Sequence, residues 1–200
     1  MAFLNNLNRR IVLASASPRR QQLFRLIFDA FEIFESNIPE QFSVSDEPVD
    51  IVRKLAYQKA EQVARSIKDG LIVGADSVVV WRKQILGKPA DYTEAARMLR
   101  MLGGHSHFVY TGFAIIEKPA ATVVVDCVAT KVKFKKLSEW EIQRYLEIGQ
   151  PLDKAGAYGI QNEAALFIEA ISGCYYNVMG LPVNAVYEAI LSLLQPEQPT

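Results

Sequence analysis

Two β-rich runs near the middle of the chain, HFVYTGFAII (107–116) and TVVVDCVATKVKF (122–134), are separated only by EKPAA (117–121). Such runs on either side of so short a connection read as a hairpin, whose strands run antiparallel. That feature argues against a purely parallel sheet. Around it, strand and helix patterns alternate. RIVLA (10–14) reads as a central strand, FEIF (31–34) as a second, and LIVGADSVVVW (71–81) as two strands interrupted at Gly74–Ser77. Ser17 offers a helix N-cap with Pro18 at the first helical position, and Leu23, Phe24, Leu26 and Ile27 follow at helical spacing. Pro48 opens a longer helix whose apolar stripe is Val49, Val52, Leu55, Ala56, Ala60, Val63 and Ile67. Asp91 with Glu94, and Ser138 with Glu141, stand in capping-box spacing before two further helices. Leu166–Ile171 reads as a strand, and Pro182 heads a last helix through Leu194. Helices interleaved with strands around a hairpin give an α/β or α+β class with a mixed sheet. No repeat or linker divides the chain, so 1–200 is expected as one domain with a frayed tail at 196–200.

Composition narrows the function. Lys+Arg and Asp+Glu both number 22, so no net field draws the chain to a nucleic acid polymer or a membrane, and any basic cluster is a local device. Cys127 and Cys174 fall in no CxxC or Cys/His spacing, which suggests neither a disulfide scaffold nor structural zinc, but two idle thiols in a reducing compartment. MAFLNNLNRR lacks the apolar core of a signal peptide, and no run reaches membrane-spanning length, so a cytoplasmic protein is expected. His105 and His107 stand too close for a helical metal pair and no HExxH is present; with two histidines and no GxSxG, a Ser/His/Asp hydrolase is not indicated. Trp81, Trp140, Tyr175 and Tyr176 read as core or dimer-surface aromatics rather than a base-stacking platform.

The chemistry concentrates where IVLASASPRRQQLF (11–24) turns from strand to helix. A helix start presents unpaired N–H groups and a partial positive charge, and Ser15 and Ser17 add hydroxyls. Arg19 and Arg20 run against the usual preference for acidic residues there, at a cost of about 0.3–1 kcal/mol each, which a bound polyphosphate would reverse. Solvated arginines on an ordinary helix are the plainer account. In GADS, Asp76 is expected at a strand end, where a partly desolvated carboxylate can bind metal or act as a base; a turn aspartate is the alternative. Lys59 lies at the edge of its helix's apolar stripe, either snorkelling outward or aimed into a cleft. Lys88 sits in the LGKP turn, and Asp153 and Lys154 precede Gly156 and Gly159.

Taken in order, LASASPRRQQLF, RKLAYQKA, GADSVVV, LGKP, VYTGFA, PLDKAGAYGIQ and VMGLPV resemble the Maf family of nucleoside triphosphate pyrophosphatases over nearly the whole chain. SPRR, ADS and YGIQ are similar to the branch acting on dTTP and UTP. The resemblance implies a twisted mixed sheet with two lobes around a cleft, as in inosine triphosphate pyrophosphatases. It implies cleavage between the α- and β-phosphates with a divalent cation (Mg²⁺, Mn²⁺ or Co²⁺), and a homodimer. On it, Asp76 matches the proton acceptor, and Arg19, Ser77 and Gln161 match specificity positions. Lys59, Lys88 and Arg20 are expected with Asp76 in the catalytic set, Arg20 mainly for phosphate charge; Ser15, Ser17, Asp153 and Lys154 are expected to bind substrate along the cleft, and Glu40 with Asp76 would face the metal. Asp76 would orient or deprotonate the attacking water, less directly if it also ligates the cation. A nucleotide-binding regulator of cell division, an inhibitor of septum formation with little turnover, is the competing reading, as is a pyrophosphatase for other modified nucleotides.

Overall fold

A computed structural model describes residues 3–194 except 5, 6, 8, 37 and 40–45. Glu40 and the tail at 196–200 thus lie outside the described residues. Strand β1 (Ile11–Ala14) is buried at every position and runs parallel to both neighbours, β2 (Glu32–Ile33) and β3 (Gly70–Trp81). Strand β4 (Gln84–Leu86) folds back antiparallel on β3. The expected hairpin is β5 (Ser106–Lys118) and β6 (Thr122–Phe134), hydrogen-bonded neighbours; β7 (Ile168–Ser172) pairs antiparallel with β6. The seven strands form one mixed sheet in the order β2-β1-β3-β5-β6-β7, with β4 on β3.

The helices begin where the capping chemistry puts them. In α1 (Pro18–Phe24), Ser17 keeps extended backbone and its hydroxyl accepts the Arg20 N–H. Pro48 opens α2 (Pro48–Ala64). Asp91 caps α3 (Tyr92–Leu102), and a reciprocal Ser138–Glu141 box opens α4 (Glu139–Ile148). A short helix absent from the sequence reading, α5 (Tyr175–Met179), precedes α6 (Val183–Leu194).

Three expectations change. β3 is one unbroken strand, so the interruption read at Gly74–Ser77 does not exist and Asp76 lies mid-strand rather than at a strand end. α1 stops at Phe24, leaving Leu26 exposed. The strand expected from Leu166 starts at Ile168, after a 3₁₀ segment at Asn162–Phe167. Trp140, Tyr175 and Tyr176 are exposed, which leaves the surface half of the reading given for them.

The chain divides into two compact units: one of Met1–Asp76, Thr111–Val128 and Gly180–Thr200, the other of Ser77–Tyr110 and Ala129–Met179. In the first, Ala56, Ala60, Val63 and Ala64 of α2 pack on Val12, Ile72, Ala114 and Ile116 of the sheet. That packing is unusually close at two glycines. A Cβ on Gly74 would stand 2.4 Å from the Ala56 carbonyl oxygen, and one on Gly112 2.3 Å from that of Val52. Gly74 is therefore a seat for the α2 backbone, not a turn signal.

In the second unit, α3 and α4 enclose Val109, Val132, Phe134, Tyr158 and Phe167. His107 is buried among them. Its Nε2 shares a 2.7 Å hydrogen bond with the Tyr158 hydroxyl, and its Nδ1 has no hydrogen-bond partner. Burial lowers its pKa from 6.5 to about 4. Between those values the unfolded chain takes up a proton that the folded protein refuses. Stability from this group is complete above pH 6.5 and falls as pH drops to about 4. The whole loss is on the order of 3 kcal/mol. Urea unfolding from pH 7 to 4 should show this decline, and His107→Gln should flatten it. An equal slope in the variant would clear His107 of the effect.

Candidate active site

Alternation along a strand puts Asp76 on the same face of β3 as Gly74. α2 is seated on that face through Ala56 and Ala60, so Lys59, next to Ala60, reaches the carboxylate. The Lys59 ammonium donates to Asp76 Oδ1, and the two side chains are only 10% and 6% exposed. Lys59 therefore points inward; the snorkelling alternative fails. A buried ion pair contributes little net stability against an apolar pair, because desolvation offsets the attraction. Its place on a sheet face next to a polar turn makes it the candidate for chemistry in this unit.

The turn after β1 is self-supporting. Ser15 is buried and its Oγ accepts the Ser17 N–H at 3.2 Å. Gln21 Nε2 donates to the carbonyls of Ser15 and Ala16 at 3.5 and 3.4 Å. Arg20 turns its guanidinium inward, with Nη1 donating to Ala75 O and Nε to Gly180 O, both at 2.8 Å. Arg19 beside it is half-buried. Ser15, Ser17, Arg20, Lys59 and Asp76 are thus linked through the first unit by hydrogen bonds and shared backbone.

In the second unit, Lys88 is exposed in the turn between β4 and α3. Gly156 N–H donates to Gly87 O at 2.9 Å, so the 154–157 loop sits on that turn. Lys154 Nζ donates to Gln150 O and Asp153 Oδ1, both at 2.5 Å, which braces its own loop. Gln161 is half-buried just ahead of the 3₁₀ segment. Ser77 follows Asp76 directly and, by strand alternation, leaves β3 from the opposite face.

Sequence reasoning missed Gly180, whose carbonyl holds Arg20 from a backbone at φ +111 between α5 and α6. The available signal was a glycine in VMGLPV just ahead of a helix-opening Pro182. Among the described residues, no three His, Cys, Asp or Glu side chains gather to hold a metal. Asp76 alone suits a hard cation of the Mg²⁺ kind, which takes one or two carboxylates and completes its shell with waters and substrate phosphates. Among the described residues, no helix is long and apolar enough to cross a membrane.

Residues 10–193 match the family described as Maf-like protein. A dTTP/UTP pyrophosphatase of Clostridium botulinum (strain Kyoto / Type A2) is 43% identical over 193 residues, covering 92% of this chain and 97% of the relative. The dTTP/UTP pyrophosphatase of Alkaliphilus metalliredigens is 45% identical over 182 residues, covering 90% and 94%. That of Geobacillus sp. (strain WCH70) is 46% identical over 185 residues, covering 92% and 98%.

Proposed function

The chain belongs to the Maf family, and from that membership we propose that it hydrolyses dTTP and UTP to the nucleoside monophosphate and pyrophosphate. The observation that carries the reading is the buried Lys59–Asp76 pair, set on the sheet face beside the Ser15–Arg20 turn in a chain whose relatives are named for this activity.

The reaction adds water across the bond between the α- and β-phosphates. Asp76 takes the proton of the water that attacks the α-phosphorus. Lys59 engages Oδ1 and so orients the carboxylate, leaving Oδ2 as the proton's destination. Pyrophosphate leaves as the new P–O bond forms. A divalent cation, Mg²⁺, Mn²⁺ or Co²⁺, supplies charge neutralisation of the phosphate oxygens when bound. Asp76 and Glu40, the latter outside the described residues, would hold it; to the extent that Asp76 does so, it orients the attacking water rather than taking its proton directly. Lys88, Lys154, Ser15 and Ser17 are assigned to the phosphates and Asp153 to ordering Lys154. Arg19, Ser77 and Gln161 are assigned to substrate choice, since a primary amide offers a donor and an acceptor to a pyrimidine edge. A homodimer and a cytoplasmic location belong to the same proposal, the first checked by sedimentation equilibrium.

Individual nucleoside triphosphates incubated with each of the three cations, followed by chromatography, test the reading. Nucleoside monophosphate and pyrophosphate should form, fastest from dTTP and UTP. Release of orthophosphate and diphosphate would overturn it. Binding without turnover would favour the cell-division regulator.

A further inference from the structure

We propose that Arg20 is a positioning residue for Asp76, holding the backbone that carries the base instead of meeting the triphosphate. The proposal rests on the Asp76 role given above. Arg20 spends Nη1 on Ala75 O and Nε on Gly180 O, two carbonyls far apart in sequence, each at 2.8 Å. Ala75 is the residue before Asp76 and lies one position past the last β1–β3 register pair, Ala14 with Gly74. β1 has ended there, and the arginine reaches back from α1 to take that carbonyl. Gly180 holds a backbone at φ +111, where a side chain would be strained, and its carbonyl is the second anchor. The backbone N–H of Arg20 is itself tied to Ser17 Oγ. One residue therefore clamps α1, β3 and the turn before α6 at the point where the base leaves the strand.

The guanidinium is suited to this by its planar, fixed fork of donors. A lysine would keep the charge and lose the fork. Rotation of the Ala75 peptide would swing the Asp76 side chain, and a displacement of about 1 Å at a reacting group can cost about 10²-fold in rate.

Arg20→Lys and Arg20→Ala, assayed beside the wild type on dTTP and UTP, separate the roles. Positioning expects both variants to lose kcat alike, by about 10-fold or more, with KM nearly unchanged and free guanidinium ion partly restoring Arg20→Ala. A phosphate contact expects KM to rise in both variants, less in Arg20→Lys, which keeps the charge, than in Arg20→Ala; such a KM-led loss, or a near-normal Arg20→Lys, overturns the proposal. Should Arg20→Ala not fold, Arg20→Gln replaces it: equal loss with Arg20→Lys supports positioning, and a large advantage for Lys overturns it. Amide hydrogen exchange at Ala75–Ser77 needs no substrate and should quicken in every Arg20 variant that folds, whereas unchanged exchange overturns the proposal. A wild type that yields no pyrophosphate from either nucleotide would sink the functional reading, and the exchange measurement would still decide Arg20.

Discussion

Asp76→Asn should remain folded by circular dichroism and lose at least about 10²-fold in kcat, the scale of a general base. The amide keeps an oxygen at the position where Lys59 donates, but it cannot accept the proton of the attacking water. KM should move far less than kcat, because the carboxylate acts on the water and not on the bulk of the nucleotide. Turnover near the wild-type rate would remove Asp76 from the role of base. The variant should also melt at a lower temperature than the wild type, since the Lys59 ammonium loses its counter-charge at a buried position.

Lys59→Met should be the more damaging change to stability. It strands the Asp76 carboxylate, whose side chain is only 6% exposed, without the cation that faces it. Removing one partner of a buried pair costs about 3–5 kcal/mol, against a total of about 5–15 kcal/mol for a typical domain. The double variant Lys59→Met/Asp76→Asn carries neither charge and should recover much of the loss, while staying as inactive as Asp76→Asn. Urea titrations of the wild type, both single variants and the double complete the cycle. Recovery of stability without activity would mean that the pair is kept for chemistry and not for folding. If Lys59→Met proved as stable as the wild type, the pair would not be buried in solution.

Local features were legible in the sequence, and distant ones were not. Asp91–Glu94 and Ser138–Glu141 announced helix starts because a cap depends on residues three apart, and Ser17–Pro18 and Pro48 because proline suits the first helical position. The hairpin was legible because both strands and their connection are contiguous. Gly74 misled, since a glycine that ends a strand and one that admits a helix backbone look alike until the helix is in place. Lys59 was ambiguous for the same reason: its position at the edge of an apolar stripe is compatible with an outward or an inward ammonium, and only β3 decides. The carbonyls that occupy Arg20 are backbone atoms 55 and 160 residues away, which no side-chain pattern can reveal. The motif residues were all visible as types, and what remained hidden was which of them spend their donors on the protein itself.

Where α2 rests on Gly74 and Gly112, backbone meets backbone with no intervening side chain. An ordinary helix–sheet contact is cushioned by rotamers, and a mutation on one side is absorbed by a few torsions on the other. Here that cushion is missing, so the Lys59–Asp76 alignment is machined into the main chain. Sequence drift in the surrounding apolar layer can alter how firmly the unit holds together, yet it has few means of retuning the spacing between the Asp76 carboxylate and the Lys59 ammonium. The site would then be inherited as a fixed gauge, with substrate preference evolving at positions elsewhere along the chain.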